Sequence, residues 1–87
     1  MHEMSLINSL LNKIERIAQD QDAKKVIAVN VKLGALSHIS ADHFRGHFVD
    51  GVTGTIAEGA RLDIEVSEDI TDPEAQNILL QSIEVQD

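Results

Sequence analysis

The spacing of apolar residues changes along the chain, and each change restricts the secondary structure that a segment can form. From residue 3 to residue 20, apolar side chains recur three and four positions apart, which is typical of an amphipathic helix. Residues 25–33 and 61–67 instead alternate apolar with polar side chains, as half-buried strands do. A chain with both patterns is expected to pack a helix against a sheet.

The two alternating segments also predict which of their side chains face the helical layer. Strand side chains point to opposite faces in turn, so the apolar members of each segment should share one face. The predicted inward-facing residues are Ile27, Val29, Val31 and Leu33 in the first strand, and Leu62, Ile64 and Val66 in the second.

The remaining elements are indicated by capping and turn residues. Ser40 is a suitable N-cap for a second helix that ends within residues 51–54. This helix carries Phe44 and Phe48 on one face. Pro73 at a first helical position predicts a single turn or short helix as far as residue 77, and residues 78–85 form a third strand.

Together these elements predict one α+β domain over residues 1–87, with the order α-β-α-β-β. Two helices pack on one face of a three-stranded sheet. The crossover through the second helix is long enough to join parallel strands, so the sheet should be mixed.

The amino-acid composition argues against some classes of binding partner. The 87 residues carry a net charge of −8, which argues against nucleic acid and anionic membrane, since both require a cationic surface. No apolar run is long enough to span a membrane, and we expect a cytoplasmic protein. A domain of this size buries only about 60–65% of its unfolded surface, so a homo-oligomer is an open possibility.

The first three residues form a candidate metal site. The α-amine of Met1, the backbone nitrogens of His2 and Glu3, and the His2 imidazole all lie within one short stretch. Four nitrogen donors in a plane suit Ni(II) or Cu(II) better than tetrahedral Zn(II). From these residues alone, the alternative is that His2 belongs to a frayed terminus or a cloning remnant.

A second, weaker candidate lies on the second helix. His43 and His47 are four residues apart and project from one face, where Asp50 could add a third ligand. The alternative is a solvent-exposed pair on the flank of the phenylalanine stripe. His38 precedes this helix at a turn and is expected to be a surface residue.

Catalysis is the least supported class of function. The serines lie in no nucleophile motif, the glycines form no phosphate-binding loop, and the chain has no cysteine. We therefore predict that the protein is not an enzyme. An enzyme that uses the His43 and His47 face is kept only as a weak third option.

Four stretches, taken in order, resemble the HypA/HybF family of hydrogenase-maturation nickel chaperones. They are residues 1–6 (MHEMSL), 31–37 (VKLGALS), 54–60 (GTIAEGA) and 82–85 (SIEV). The resemblance implies a nickel-binding domain of two helices on a three-stranded sheet. It also implies that the amine of Met1, His2 and the backbone near Glu3 hold Ni(II), which passes to a maturation GTPase and on to the large subunit of the nickel enzyme.

The chain departs from that family between the second and third strands. Members of the family carry there a zinc domain with two Cys-x-x-Cys pairs, whereas this chain has a short connection, residues 68–77, without cysteine. We therefore expect no zinc. The leading interpretation is a metallochaperone for a nickel enzyme of the NiFe hydrogenase type. The alternative is an adaptor that docks a maturation GTPase or a metalloenzyme subunit without transferring metal.

Overall fold

The computed structural model describes the backbone of residues 2–87 and the side chains from Met4 onward. Two helices and three strands follow one another in the predicted order. They are α1 (His2–Asp20), β1 (Lys25–Leu33), α2 (Ala41–Val52), β2 (Arg61–Val66) and β3 (Ile78–Gln86). The predicted α+β class is confirmed. In the described part of the chain, neither helix combines the length and the apolar character needed to cross a membrane.

The three strands form a mixed sheet in the order β2-β1-β3. β1 lies in the centre, parallel to β2 and antiparallel to β3, and Leu33 is level with Val66 on one side and Ile78 on the other. The parallel pair is joined through α2, since parallel strands need a long crossover. The predicted mixed sheet is therefore confirmed.

The core lies between the sheet and the two helices. Its principal buried side chains are Ile7, Leu10, Ile14 and Ala18 of α1, Val26, Val29, Val31 and Leu33 of β1, Phe44, Phe48 and Val52 of α2, and Leu62 of β2. The apolar stripe of α2 is thus buried, and that of α1 is buried from Ile7 onward, whereas Met4 at its start is 43% exposed.

The opposite face of the sheet is polar. There Asn30 Nδ2 donates a hydrogen bond of 2.9 Å to Ser82 Oγ, and the Arg61 guanidinium contacts Asp63 at 2.9 Å and Glu84 at 3.3 Å. The fold therefore has two layers and one open face.

Two residues predicted to face the core are exposed instead. Ile27 is 46% exposed because the register with β3 shifts between Val26 and Ala28, which leaves position 27 as the extra residue of a bulge. Val26 fills the core in its place. Val66 is 58% exposed, since it ends an edge strand whose burial falls from Leu62 onward.

Of the single turn or short helix predicted before β3, the structure has turns without a helix. Ala75 N donates to the Asp72 carbonyl and Asn77 N to the Glu74 carbonyl, each at 2.9 Å. No helix continues from these turns because the next carbonyls have other donors. The Ala75 carbonyl accepts from Leu36 N at 2.7 Å, and the Asn77 carbonyl accepts from Gly34 N at 2.9 Å.

Both helices begin at the same end of the molecule. α2 connects two parallel strands and must run back against them, and α1 is joined to the start of β1 by the short segment 21–24, so it also runs opposite to β1. The starts of α1 and α2 therefore lie where β1 ends. We call this the helix-start end, and it also carries the connection from β2 to β3, residues 67–77.

Candidate metal sites

The predicted amino-terminal ligands lie largely outside the described residues. Neither Met1 nor the side chains of His2 and Glu3 are described, so this prediction stays a prediction. The structure does place the start of α1 at His2. The first four N–H groups of a helix have no carbonyl partner within that helix. The backbone nitrogens of His2 and Glu3 are therefore not needed for the hydrogen bonds of α1.

The electrostatics of a helix start determine which ligands can hold a cation there. The amino end of a helix carries about half a positive charge, which disfavours a metal ion bound by neutral groups alone. Backbone nitrogens that lose their protons on binding each bring a negative charge. A site that uses the nitrogens of His2 and Glu3 would therefore offset the helix dipole as it binds.

The histidine pair of α2 is well defined. Ser40 caps the helix by accepting a hydrogen bond of 3.1 Å from His43 N, which fixes the first turn. His43 Nε2 and His47 Nε2 lie 2.9 Å apart, with ring centroids separated by 4.6 Å and ring planes inclined at 51°. Phe44 and Phe48 beside this pair are buried, whereas His43 is exposed and His47 is half-buried.

Asp50 does not complete a three-ligand face with this pair. Among the side chains from Met4 onward, no group of three or more His, Asp or Glu residues converges on one point. Asp50 is exposed on α2, and His38 is exposed in a turn with a φ of 61°. The two Nε2 atoms of His43 and His47 share a hydrogen bond, and both converge on one point of the surface.

Sequence reasoning treated the amino terminus and the histidine pair as separate candidates, whereas the fold places the start of α1, at His2, and the histidine pair at the same helix-start end. The predicted parallel crossover could have indicated this shared end, because a helix between two parallel strands must begin where the first strand ends. The relation follows from topology rather than from any local motif.

The connection between β2 and β3 carries its own polar network at this end. Asp69 Oδ1 accepts hydrogen bonds from Thr71 Oγ1 at 2.6 Å and from Thr71 N at 3.0 Å. These bonds hold the pKa of the Asp69 carboxyl below its usual value. The connection is therefore an ordered turn structure.

Comparison with protein families matches a segment that ends within the connection between β2 and β3. A family model described as "Hydrogenase/urease nickel incorporation, metallochaperone, hypA" matches residues 1–72. The match covers α1 to β2 and part of the connection. Three of the four stretches that suggested the family lie inside it, and residues 82–85 lie outside.

Several curated relatives named "Hydrogenase maturation factor HypA" match a similar segment. The Methylocella silvestris protein is 48% identical over 67 residues, which are 76% of this chain and 58% of the relative. The Archaeoglobus fulgidus protein is 39% identical over 66 residues, covering 76% and 60% respectively. The chain therefore spans less than two thirds of the length of these relatives.

One solved structure has the same fold. It is the "Solution structure of the Ni metallochaperone HypA from Helicobacter pylori", with a TM-score of 0.80 and 18% sequence identity. The superposition covers 97% of each chain. At this level of identity the likeness establishes the fold alone.

Proposed function

The chain belongs to the HypA family of metallochaperones, which is not a family of enzymes, and we propose that it carries Ni(II) for the maturation of a nickel enzyme. The client we propose is of the NiFe hydrogenase type. Nickel is the cargo of this reaction, bound at the amino terminus and then passed to a partner protein. The proposed setting is the cytoplasm.

The observation that carries the proposal is the family match from residue 1, which brings the amino-terminal residues inside the matched region. The proposed donors are the amine of Met1, the His2 imidazole and the backbone nitrogens of His2 and Glu3. Their chemistry fits the cargo, because planar nitrogen ligation suits Ni(II).

Binding in this way requires a local change in α1. Successive residues of a helix are rotated by about 100° around its axis, so neighbouring backbone nitrogens cannot share one coordination plane while they stay helical. We propose that the first turn unwinds when nickel binds. The core tolerates this change, because the first fully buried side chain of α1 among the described residues is Ile7.

The proposed partners are a maturation GTPase and the large subunit of the nickel enzyme, and a homo-oligomer is compatible with the small core. The connection 67–77 contains no cysteine, so the proposed handling of nickel uses no zinc site in that connection. The alternative function is an adaptor that docks one of these partners without transferring metal.

Calorimetric titration with Ni(II) tests the proposal. The comparison uses chain that begins at Met1, chain extended by one glycine before Met1, and the His2→Ala variant. We expect both altered chains to lose about tenfold or more in affinity, which corresponds to about 1.4 kcal/mol. Ser5→Ala is the matched control, because Ser5 is exposed on α1 and supplies no proposed ligand.

The outcomes separate the two functions. Equal nickel binding by all three chains would rule out the amino-terminal site. No binding by any of them would favour the adaptor. A yellow absorbance of square-planar Ni(II), present only with the free Met1 amine, would support four in-plane nitrogens.

A further inference from the structure

The geometry of the histidine pair matches one edge of a metal coordination sphere. The two Nε2 atoms are 2.9 Å apart. With metal–nitrogen bonds of about 2.0–2.1 Å, two donors at that separation subtend an angle of about 90° at the metal. Square-planar and octahedral ions have this angle between neighbouring ligands, whereas a tetrahedral ion needs about 109°. In this structure the 2.9 Å separation is that of a hydrogen bond between the two rings, and with both Nε2 atoms deprotonated the same separation fits neighbouring ligands of a square-planar or octahedral ion such as Ni(II) or Cu(II).

The contact between the helices places this pair at the same end of the helical layer as the start of α1. α1 and α2 run in the same direction, and they approach so closely at one point that a Cβ on Gly51 would overlap the Leu11 side chain. Met4 lies seven residues, or about two helical turns, before Leu11 in α1, and Phe44 lies the same distance before Gly51 in α2. His43, next to Phe44, is therefore level with the first turn of α1.

The Asp42 carboxylate offsets the positive end of the α2 dipole, which by itself disfavours a cation held by two neutral imidazoles. Asp42 lies in the first turn of α2, and the whole chain has a net charge of −8. The one cationic side chain of α2, Arg45, donates from Nη1 to the Leu62 carbonyl at 3.1 Å. This bond directs the guanidinium toward β2.

We propose that His43 and His47 form a second Ni(II) site, an entry site that binds the ion before it reaches the amino terminus. The two Nε2 atoms are neighbouring ligands. Two imidazoles bind an ion more weakly than the four nitrogens proposed for the amino terminus, so this site can release its ion. The identity of the ion rests on the function proposed above, whereas the geometry of the pair does not.

Nickel titrations of four chains test the entry site. They are the unaltered chain, His2→Ala, His43→Gln/His47→Gln, and the combination of all three substitutions. We expect His2→Ala to retain a weaker binding event, with NMR broadening of the His43 and His47 ring signals by paramagnetic Ni(II). The combined variant should lose that event, by about tenfold or more in affinity. His38→Asn is the matched control, because it removes an exposed imidazole and asparagine tolerates positive φ.

The two proposals fail in different ways. If His2→Ala binds as the unaltered chain does, the amino-terminal site is wrong. If His2→Ala shows no residual binding, or if the combined variant keeps it, the histidine pair is not a metal site. Loading rates at limiting nickel test the entry role: His43→Gln/His47→Gln should slow loading of the amino terminus, and an unchanged rate would overturn that role.

Discussion

Gly34, just after β1, lies directly against the backbone of Ala75 in the connection between β2 and β3. A Cβ at position 34 would overlap the Ala75 carbonyl, and the hydrogen bond from Leu36 N to that carbonyl is 2.7 Å long. The end of the central strand and the connection therefore pack as one unit, and the contact leaves space only for glycine.

Gly34→Ala should destabilise the protein by about 1–3 kcal/mol, because the added methyl group meets backbone that cannot move aside without shifting the connection. Urea denaturation measures the loss. Gly46→Ala is the control, since a Cβ there meets nothing within 4 Å and alanine favours the helix by about 0.5–1 kcal/mol. Equal unfolding midpoints for both variants would contradict this packing.

The β-bulge predicts unequal effects at two neighbouring residues of β1. Ile27 is 46% exposed, whereas Val29 is fully buried. Ile27→Thr should therefore change the free energy of unfolding by less than about 0.5 kcal/mol. Val29→Thr buries a hydroxyl group and should cost about 1–3 kcal/mol. Similar losses at both positions, measured by denaturation, would show that β1 pairs with β3 without the bulge.

The cap at Ser40 connects the stability of α2 to the histidine pair. Ser40→Ala removes the acceptor for His43 N and should cost about 0.5–2 kcal/mol. The amide hydrogen of His43 should also exchange faster, because the first turn of α2 frays. Ser40→Asp restores an acceptor and should recover both properties. If exchange at His43 is the same in Ser40→Ala as in the unaltered chain, the cap does not hold the turn.

Asp69 makes the connection sensitive to acid. The hydrogen bonds from the Thr71 hydroxyl and then the Thr71 N–H lower the pKa of Asp69 from its ordinary 3.8. A lowered carboxyl pKa in the folded state adds stability that is present above that ordinary value and is lost as the pH falls through the lowered one. Thr71→Val removes the hydroxyl, so the pKa of Asp69 should rise.

An NMR titration of the Asp69 carboxyl carbon measures this change. The stability difference between Thr71→Val and the unaltered chain should be present at neutral pH and shrink in acid, once Asp69 is protonated in both. An unchanged titration midpoint would mean that the hydroxyl does not bond to Asp69 in solution.

Local spacing predicted the features that depend on neighbours in sequence. The buried stripe of α1 follows from the three-and-four spacing of Ile7, Leu10 and Ile14. The cap at Ser40 follows from its place before an apolar face. The exposure of Ile27 depends on how β1 aligns with β3, some fifty residues further along the chain. No pattern within β1 specifies that alignment.

The candidate sites, too, could be predicted only where they depend on neighbours in sequence and not on distant residues. The four-residue spacing of His43 and His47 predicted that the rings share a face, but the 2.9 Å between their Nε2 atoms requires the actual side-chain conformations. The sequence could not decide between a turn and a short helix at residues 73–77, because that depends on the hydrogen bonds that Gly34 and Leu36 donate to carbonyls of this segment. The amino-terminal site remains a prediction from residue chemistry and family resemblance.

The connection 67–77 is a suitable position at which to insert another protein module. β2 enters it and β3 leaves it at the helix-start end, so a module inserted there would be carried on the same side of the molecule as the amino terminus. Inserting between Thr71 and Glu74 avoids the carbonyls of Ala75 and Asn77 that hold the end of β1. A fluorescent reporter fused at this point would lie at the same end of the molecule as the start of α1, and quenching of its fluorescence by Ni(II) would measure metal binding at that end.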